Sequence, residues 1–202
     1  MAPARRPTLI VLAGPNGSGK STLYETRIAR AFSAPFINAD IIQRDELGES
    51  DMNAAYKAAQ IAADRRDTLL AERSSFATES VFSHPSKLDL IEAGKRLGYR
   101  VMLFHICVED PDLSVARVTE RVKEGGHPVP EEKIRQRYDR NGPLIREAAL
   151  LSDIAHIFDN SKLNHPPERV LTFISGKPSF VAPRLPGWAL GIYGTDLVLG
   201  NE

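Results

Sequence analysis

Gly14-Pro-Asn-Gly-Ser-Gly-Lys-Ser21 decides how this chain is read. The stretch fits G-x-x-x-x-G-K-[ST]. The apolar run before it, Thr8-Leu-Ile-Val-Leu-Ala13, suits a buried strand, and Ser21 to about Phe32 has the spacing of a helix. Strand, glycine-rich loop and helix in that order make a phosphate-binding loop. The loop Gly14, Pro15, Asn16, Gly17, Ser18 and Gly19 can curl backbone amides around an anion, and the next helix points its positive end at the same place. Lys20 then reaches the β- and γ-phosphates of ATP. The Ser21 hydroxyl ligates Mg²⁺, with Thr22 beside it.

Size and charge narrow the rest. The chain has 202 residues, enough for one good core and short for two. Its 26 basic and 26 acidic residues balance, so no bulk electrostatic pull toward nucleic acid or a membrane surface is expected. The single cysteine, Cys107, lies in an apolar run and rules out an internal disulfide framework, which agrees with a reducing cytoplasm. No stretch reaches the roughly 20 apolar residues of a membrane helix.

Strands and helices alternate along the chain, the pattern of βαβ units on a parallel sheet. Phe36–Asn38 is expected to be a short second strand, followed by a helix from Ile41 to Leu47 capped by Asp40. Met52 to Glu72 reads as a long helix and Ser75–Thr78 as a strand ending at Glu79. Tyr99 to Val108 is the central strand, and Pro111 to Glu124 a helix. A further helix begins at Pro130, with Asn141-Gly-Pro143 expected to break or kink it. Ile154–Phe158 and Val170–Ile174 are the last strands. Residues 1–175 are expected to form one domain, a three-layer α/β sandwich of the P-loop NTPase type. Its sheet is mostly parallel, and a helical lid lies at about 117–140. Residues 176–202 form an extension packed on the same domain through Trp188, with a short hairpin near Tyr193-Gly-Thr-Asp196.

Ligands of such sheets bind beyond the carboxyl ends of the strands, so the residues leaving those ends are the candidates. Asp40 can take a proton from an attacking hydroxyl, or it can simply cap the next helix. Glu79 can hold a substrate hydroxyl or a Mg²⁺-bound water, or be a solvated loop carboxylate. Arg117 and Arg121 share one helical face, with Val115, Val118 and Val122 roughly opposite. They are either a solvated face or part of a lid carrying charge to the phosphate. In the lid reading Gly125-Gly126 is a hinge, His127 stands in the loop, and Arg137 and Arg140 follow on the next helix. At least one of Arg121, Arg137 and Arg140 then reaches phosphate. The histidines form no zinc set, and no G-x-S-x-G elbow supports a hydrolase triad.

With the phosphate loop, Asn38-Ala-Asp40, Phe76-Ala-Thr-Glu79 and Gly126-His-Pro-Val-Pro130 in place, the chain resembles the zeta-toxin family of P-loop kinases from about Thr8 to Ile174. Members use ATP to phosphorylate the amino-sugar of UDP-N-acetylglucosamine. The resemblance implies Lys20 and Ser21 for ATP and Mg²⁺, Asp40 as general base, and Glu79 as substrate-binding acid. It also implies Arg121 as a transition-state arginine and Asp159-Asn160-Ser161 as the adenine-side loop. Where the family has Glu-Gly-Thr, this chain has Glu79-Ser-Val81. His127 stands where a second lid arginine is expected, leaving Arg137 or Arg140 for that role. The implied function is an ATP-dependent kinase acting on a small hydroxylated substrate such as a nucleotide sugar, with an antitoxin protein as partner. The alternative is a nucleotide-binding toxin–antitoxin or regulatory module with little turnover. A nucleic-acid end kinase lacks an evident basic stripe.

Overall fold

In a computed structural model, which describes residues 6–49, 51–123 and 128–198, a seven-stranded sheet runs in the order β2-β3-β1-β4-β5-β6-β7. The strands are β1 (Thr8–Ala13), β2 (Phe36–Ile37), β3 (Phe76–Ser80), β4 (Arg100–Cys107), β5 (Ile154–Asp159), β6 (Glu168–Ile174) and β7 (Lys177–Val181). The first five are mutually parallel; β6 and β7 are antiparallel to their neighbours. The expected α/β sandwich on a mostly parallel sheet is the fold observed.

The strands alternate between two cores. Leu9, Val11 and Ala13 of β1 join one apolar cluster; Ile10 and Leu12 join the other. This is the period of two that a strand buried on both faces requires. The larger cluster is covered by α3 (Met52–Ala71), α4 (Leu88–Arg96), α6 (Glu131–Leu151) and α7 (Gly187–Val198). The smaller is covered by α1 (Lys20–Leu23) and the π-helical turn that continues it (Tyr24–Ile28), with Tyr24 stacked on Phe36 at 3.8 Å between ring centroids. Between them in sequence lie α2 (Ala39–Ile41), extended by a π-helical turn (Ile42–Leu47), and α5 (Pro111–Lys123).

Four local expectations change, the first being that β7 follows the two strands expected to be the last and pairs antiparallel with β6. The cap of α2 is Asn38, not Asp40: the Asn38 Oδ1 accepts from the Asp40 and Ile41 amides at 2.8 and 3.4 Å. This places Asp40 in the first helical turn, where its side chain is not needed for capping. Asn141-Gly-Pro143 does not break the helix, because α6 runs continuously from Glu131 to Leu151 with Pro143 inside it. Residues 193–196 are not a hairpin. They belong to α7, which packs through buried Trp188, Ala189 and Tyr193 on the larger core. Gly125, Gly126 and His127 lie outside the described residues.

Candidate active site

Strand register assembles the site. β1 and β3 pair in parallel with Leu12 beside Glu79, and β2 and β3 pair with Ile37 beside Thr78. The residues that leave β1, β2 and β3 at their carboxyl ends therefore emerge together. They are the phosphate loop, Asn38-Ala39-Asp40 and Glu79.

The loop itself is held by close backbone approaches. Gly14 has φ +150°, and a Cβ there would stand 2.0 Å from the Ile106 carbonyl oxygen of β4. Gly19 has φ +91°, and a Cβ would meet the Asn160 amide nitrogen at 2.5 Å. Asn160 in turn donates to the Ser18 carbonyl at 2.9 Å. Only glycine fits such positions, so the loop is clamped between β4 and the turn after β5. A Cβ at Gly17 would touch the Ser114 carbonyl oxygen at 2.8 Å and the Arg117 Cβ at 3.2 Å, which seats α5 directly against the loop.

Glu79 is the hub. Its carboxylate accepts from the Ser21 hydroxyl at 2.7 Å and from the Asn38 amide at 3.0 Å, and it stands 3.6 Å from the Lys20 ammonium. Lys20 also donates to the Pro15 carbonyl at 2.9 Å. The side chains of Lys20 and Glu79 are only 6% and 12% exposed, so this charge pair sits largely out of water. Ser21 and Glu79 present adjacent hard oxygen donors, the kind Mg²⁺ prefers, on the floor where a triphosphate would lie. Among the described residues no group of three or more His, Cys, Asp or Glu forms a self-sufficient metal site. A metal here would take the rest of its shell from phosphate oxygens and water.

The mouth opens into a cavity of about 1060 Å³ that reaches Lys20, Asp40, Glu79, Arg121 and Arg137 together. Asp40 is exposed there, beside the hub but not tied into it. Arg137 also donates to the Asn16 side chain of the loop at 3.4 Å. Arg121 is half-buried on α5. Val118 is buried as the amphipathic reading requires; Val122 is exposed, and Ser114 takes the inner position instead. Arg140 does not come to the site. Three residues beyond Arg137 on a 3.6-residue helix, it is exposed and donates to the Gln136 carbonyl of its own helix at 3.1 Å. His127 lies outside the described residues.

On the other side of the loop, Thr22, Arg27, Arg117, Asn160 and Lys162 line a smaller recess. Burial lowers the Arg117 pKa, an effect that Asp159 partly offsets.

One group escaped the sequence reading. Asn38 both caps α2 and orients Glu79; the spacing Asn-x-Asp just past a strand was the available signal. His105 lies wholly buried on β4 beside Ala13, its Nδ1 2.8 Å from the Tyr193 hydroxyl of α7. Burial, helped by the nearby Lys20 charge, depresses its pKa to about 3.

The zeta-toxin family model matches residues 1–165. The chain belongs to the zeta-toxin family. A relative, an uncharacterized protein of Haemophilus influenzae, is 29% identical over 134 residues, covering 64% of this chain and 91% of the relative. Among solved structures, a chain of the AvrRxo1-ORF1:-ORF2 complex with ATP superposes with a TM-score of 0.66 at 19% identity, covering 86% of this chain. This zeta-toxin-family chain spans 60% of the length of that one. The PezAT chromosomal toxin–antitoxin system of Streptococcus pneumoniae contributes a chain with a TM-score of 0.58 at 17% identity, covering 78% of this chain and 70% of its own. The fold is thus that of the P-loop kinases. No described helix is long and apolar enough to cross a membrane.

Proposed function

We propose that this zeta-toxin-family chain is an ATP-dependent kinase that moves the γ-phosphoryl group of ATP to a hydroxyl of a small acceptor. One observation carries the reading. Lys20 and Ser21 of the phosphate loop converge on Glu79 at the mouth of a large cavity, and Asp40 stands on that cavity's wall. The loop amides and Lys20 hold the triphosphate. Mg²⁺ bound by Ser21 and, directly or through water, by Glu79 would supply positive charge at the β- and γ-oxygens. Asp40 accepts the acceptor's hydroxyl proton as that oxygen bonds to phosphorus. The bond from phosphorus to the β–γ bridging oxygen breaks, and ADP leaves. Arg121 and Arg137 balance the charge on the migrating group.

UDP-N-acetylglucosamine, suggested by the family resemblance, is the first acceptor to test. The neighbouring complexes, one of them a toxin–antitoxin system, support an antitoxin-type partner, and the lone buried cysteine suits a cytoplasmic setting. Residues 1–175 are read as the kinase domain, its lid at about 117–140, with 176–202 as an extension packed on the same domain.

The deciding experiment incubates the protein with γ-labelled ATP and a metabolite extract, then identifies the labelled product by mass. A labelled alcohol that disappears with Asp40→Asn supports the reading. Full transfer by Asp40→Asn removes the assigned base. Tight ATP binding with no labelled product leaves the interaction module.

A further inference from the structure

The first turn of α7 is tied to the turn that clamps the phosphate loop. Trp188 is buried, and its indole N–H donates to the Asp159 Oδ1 at 2.9 Å. The Ser161 hydroxyl donates to the same oxygen at 2.6 Å. A carboxylate oxygen held by two donors cannot swing without giving up both bonds. Asp159 ends β5, opposite Cys107 of β4. The next residue, Asn160, sets its backbone N–H on the Cys107 carbonyl at 2.8 Å and its side chain on the Ser18 carbonyl at 2.9 Å. The side-chain nitrogen of Asn160 fills the place where Gly19 would carry a Cβ. Lys20 and Ser21 follow directly on that glycine, so a shift of the Asn160 clamp moves the groups that hold phosphate.

Packing alone does not demand the indole bond. Helix α7 has other anchors: the Tyr193 hydroxyl meets the His105 Nδ1 at 2.8 Å, and Arg146 of α6 donates to Asp196 at 2.7 Å. The Trp188 ring also packs edge-on against His105, with centroids 5.3 Å apart. A phenyl ring at 188 would keep apolar contact of this kind and lose the donor. Of these anchors, the indole bond is the one that runs to the Asn160 clamp.

We propose that Trp188 is a positioning residue for the nucleotide: its bond to Asp159 holds Asn160 on the Ser18 carbonyl and so sets the affinity of the phosphate loop for ATP. The proposal rests on the nucleotide-binding half of the kinase reading. Helix α7 lies beyond the residues matched by the family model, so the matched region does not contain this brace.

The test uses the full chain. ATP with Mg²⁺ is titrated calorimetrically, and amide hydrogen exchange is followed without nucleotide. Trp188→Phe is expected to weaken ATP binding by about fivefold or more and to speed exchange of the amides from Asn16 to Ser21. Its melting temperature should stay within about 3 °C of wild type. Asp159→Ala should weaken ATP binding in the same way, and the double variant should be no weaker than the weaker single one. Asp159→Asn keeps an oxygen for the indole and should retain most of the affinity; should Trp188→Phe fail to fold, this contrast between Asn and Ala at 159 decides. Asp196→Asn is the control: it loosens α7 from α6 and should lower the melting temperature while leaving ATP affinity within about twofold. The relay is overturned if Trp188→Phe binds ATP as tightly as wild type, or if its effect adds in full to that of Asp159→Ala. It is also overturned if Asp196→Asn loses as much affinity as Trp188→Phe, the mark of a generally loosened helix. If wild type binds no ATP, the kinase reading falls and exchange decides the relay: unchanged loop exchange in Trp188→Phe overturns it, and faster exchange confined to the loop upholds it. If ATP affinity falls as expected but no acceptor is ever labelled, the relay stands and the kinase reading falls.

Discussion

Asp40 and Glu79 leave adjacent strand ends as the same kind of group, a carboxylate, and the fold gives them different surroundings. Glu79 is engaged by Ser21, Asn38 and Lys20, whereas Asp40 is left facing the cavity because Asn38 has taken over the capping. Asp40→Asn is therefore expected to lower transfer by about 10²- to 10⁴-fold. It should leave ATP binding intact, as measured by single-turnover transfer beside nucleotide titration. His105 yields a pH prediction. Its folded pKa of about 3 lies below the ordinary value of 6.5. Between those values the unfolded chain binds a proton that the folded one refuses. The stabilisation is full above about pH 6.5 and is lost as pH falls toward 3. Urea melts of wild type at pH 7 and pH 4 should differ by a few kcal/mol more than those of His105→Gln, which cannot titrate. Equal acid sensitivity in the two proteins would contradict this.

At the scale of elements, α6 holds two residues that a helix seldom welcomes, and they differ in what they cost. Gly142 lets α7 approach: a Cβ there would stand 2.9 Å from the Ile192 Cδ1, the movable tip of a side chain. Gly142→Ala should change stability by less than about 1 kcal/mol, because the Ile192 tip can yield and alanine regains helix propensity. Pro143 is exposed and deprives the Asp139 carbonyl of its helical donor. Pro143→Ala should stabilise by about 1–2 kcal/mol, and thermal melts of the two variants should move apart. The sequence read both residues as a break, because local propensity was weighed without the packing of α6 on the sheet and on α7 that overrides it. Helix α7 was missed for the same reason: three glycines spaced along it look like turns until Trp188 and Tyr193 find a core. The parallel strands were legible from their alternation with helices. The antiparallel pair had its own signal. Asp159 to Glu168 is too short for a crossover helix, and Ser175-Gly176, with φ of 49° and 75°, is a hairpin turn. The phosphate loop, Asp40 and Glu79 were legible because their chemistry stands next to strand ends. The bond from Trp188 to Asp159 was not, because the two stand far apart in the sequence and only the packing of α7 brings them together.

For the whole molecule, the notable feature is a relay of hydrogen bonds that joins the last helix to the phosphate loop through the turn after β5. The Trp188 indole donates to Asp159 at 2.9 Å, Asp159 also accepts from Ser161 at 2.6 Å, and Asn160 between them grips the Ser18 carbonyl. The last helix thus leans on the turn that clamps the phosphate loop, although it lies beyond the residues matched by the family model. Trp188 is the chain's only tryptophan. The molecule therefore carries a built-in optical probe beside its nucleotide seat. Filling the loop with ATP and Mg²⁺ should shift the emission of that one indole in a saturable way. Lys20→Ala should flatten the titration, and affinity becomes measurable by fluorescence with no label attached.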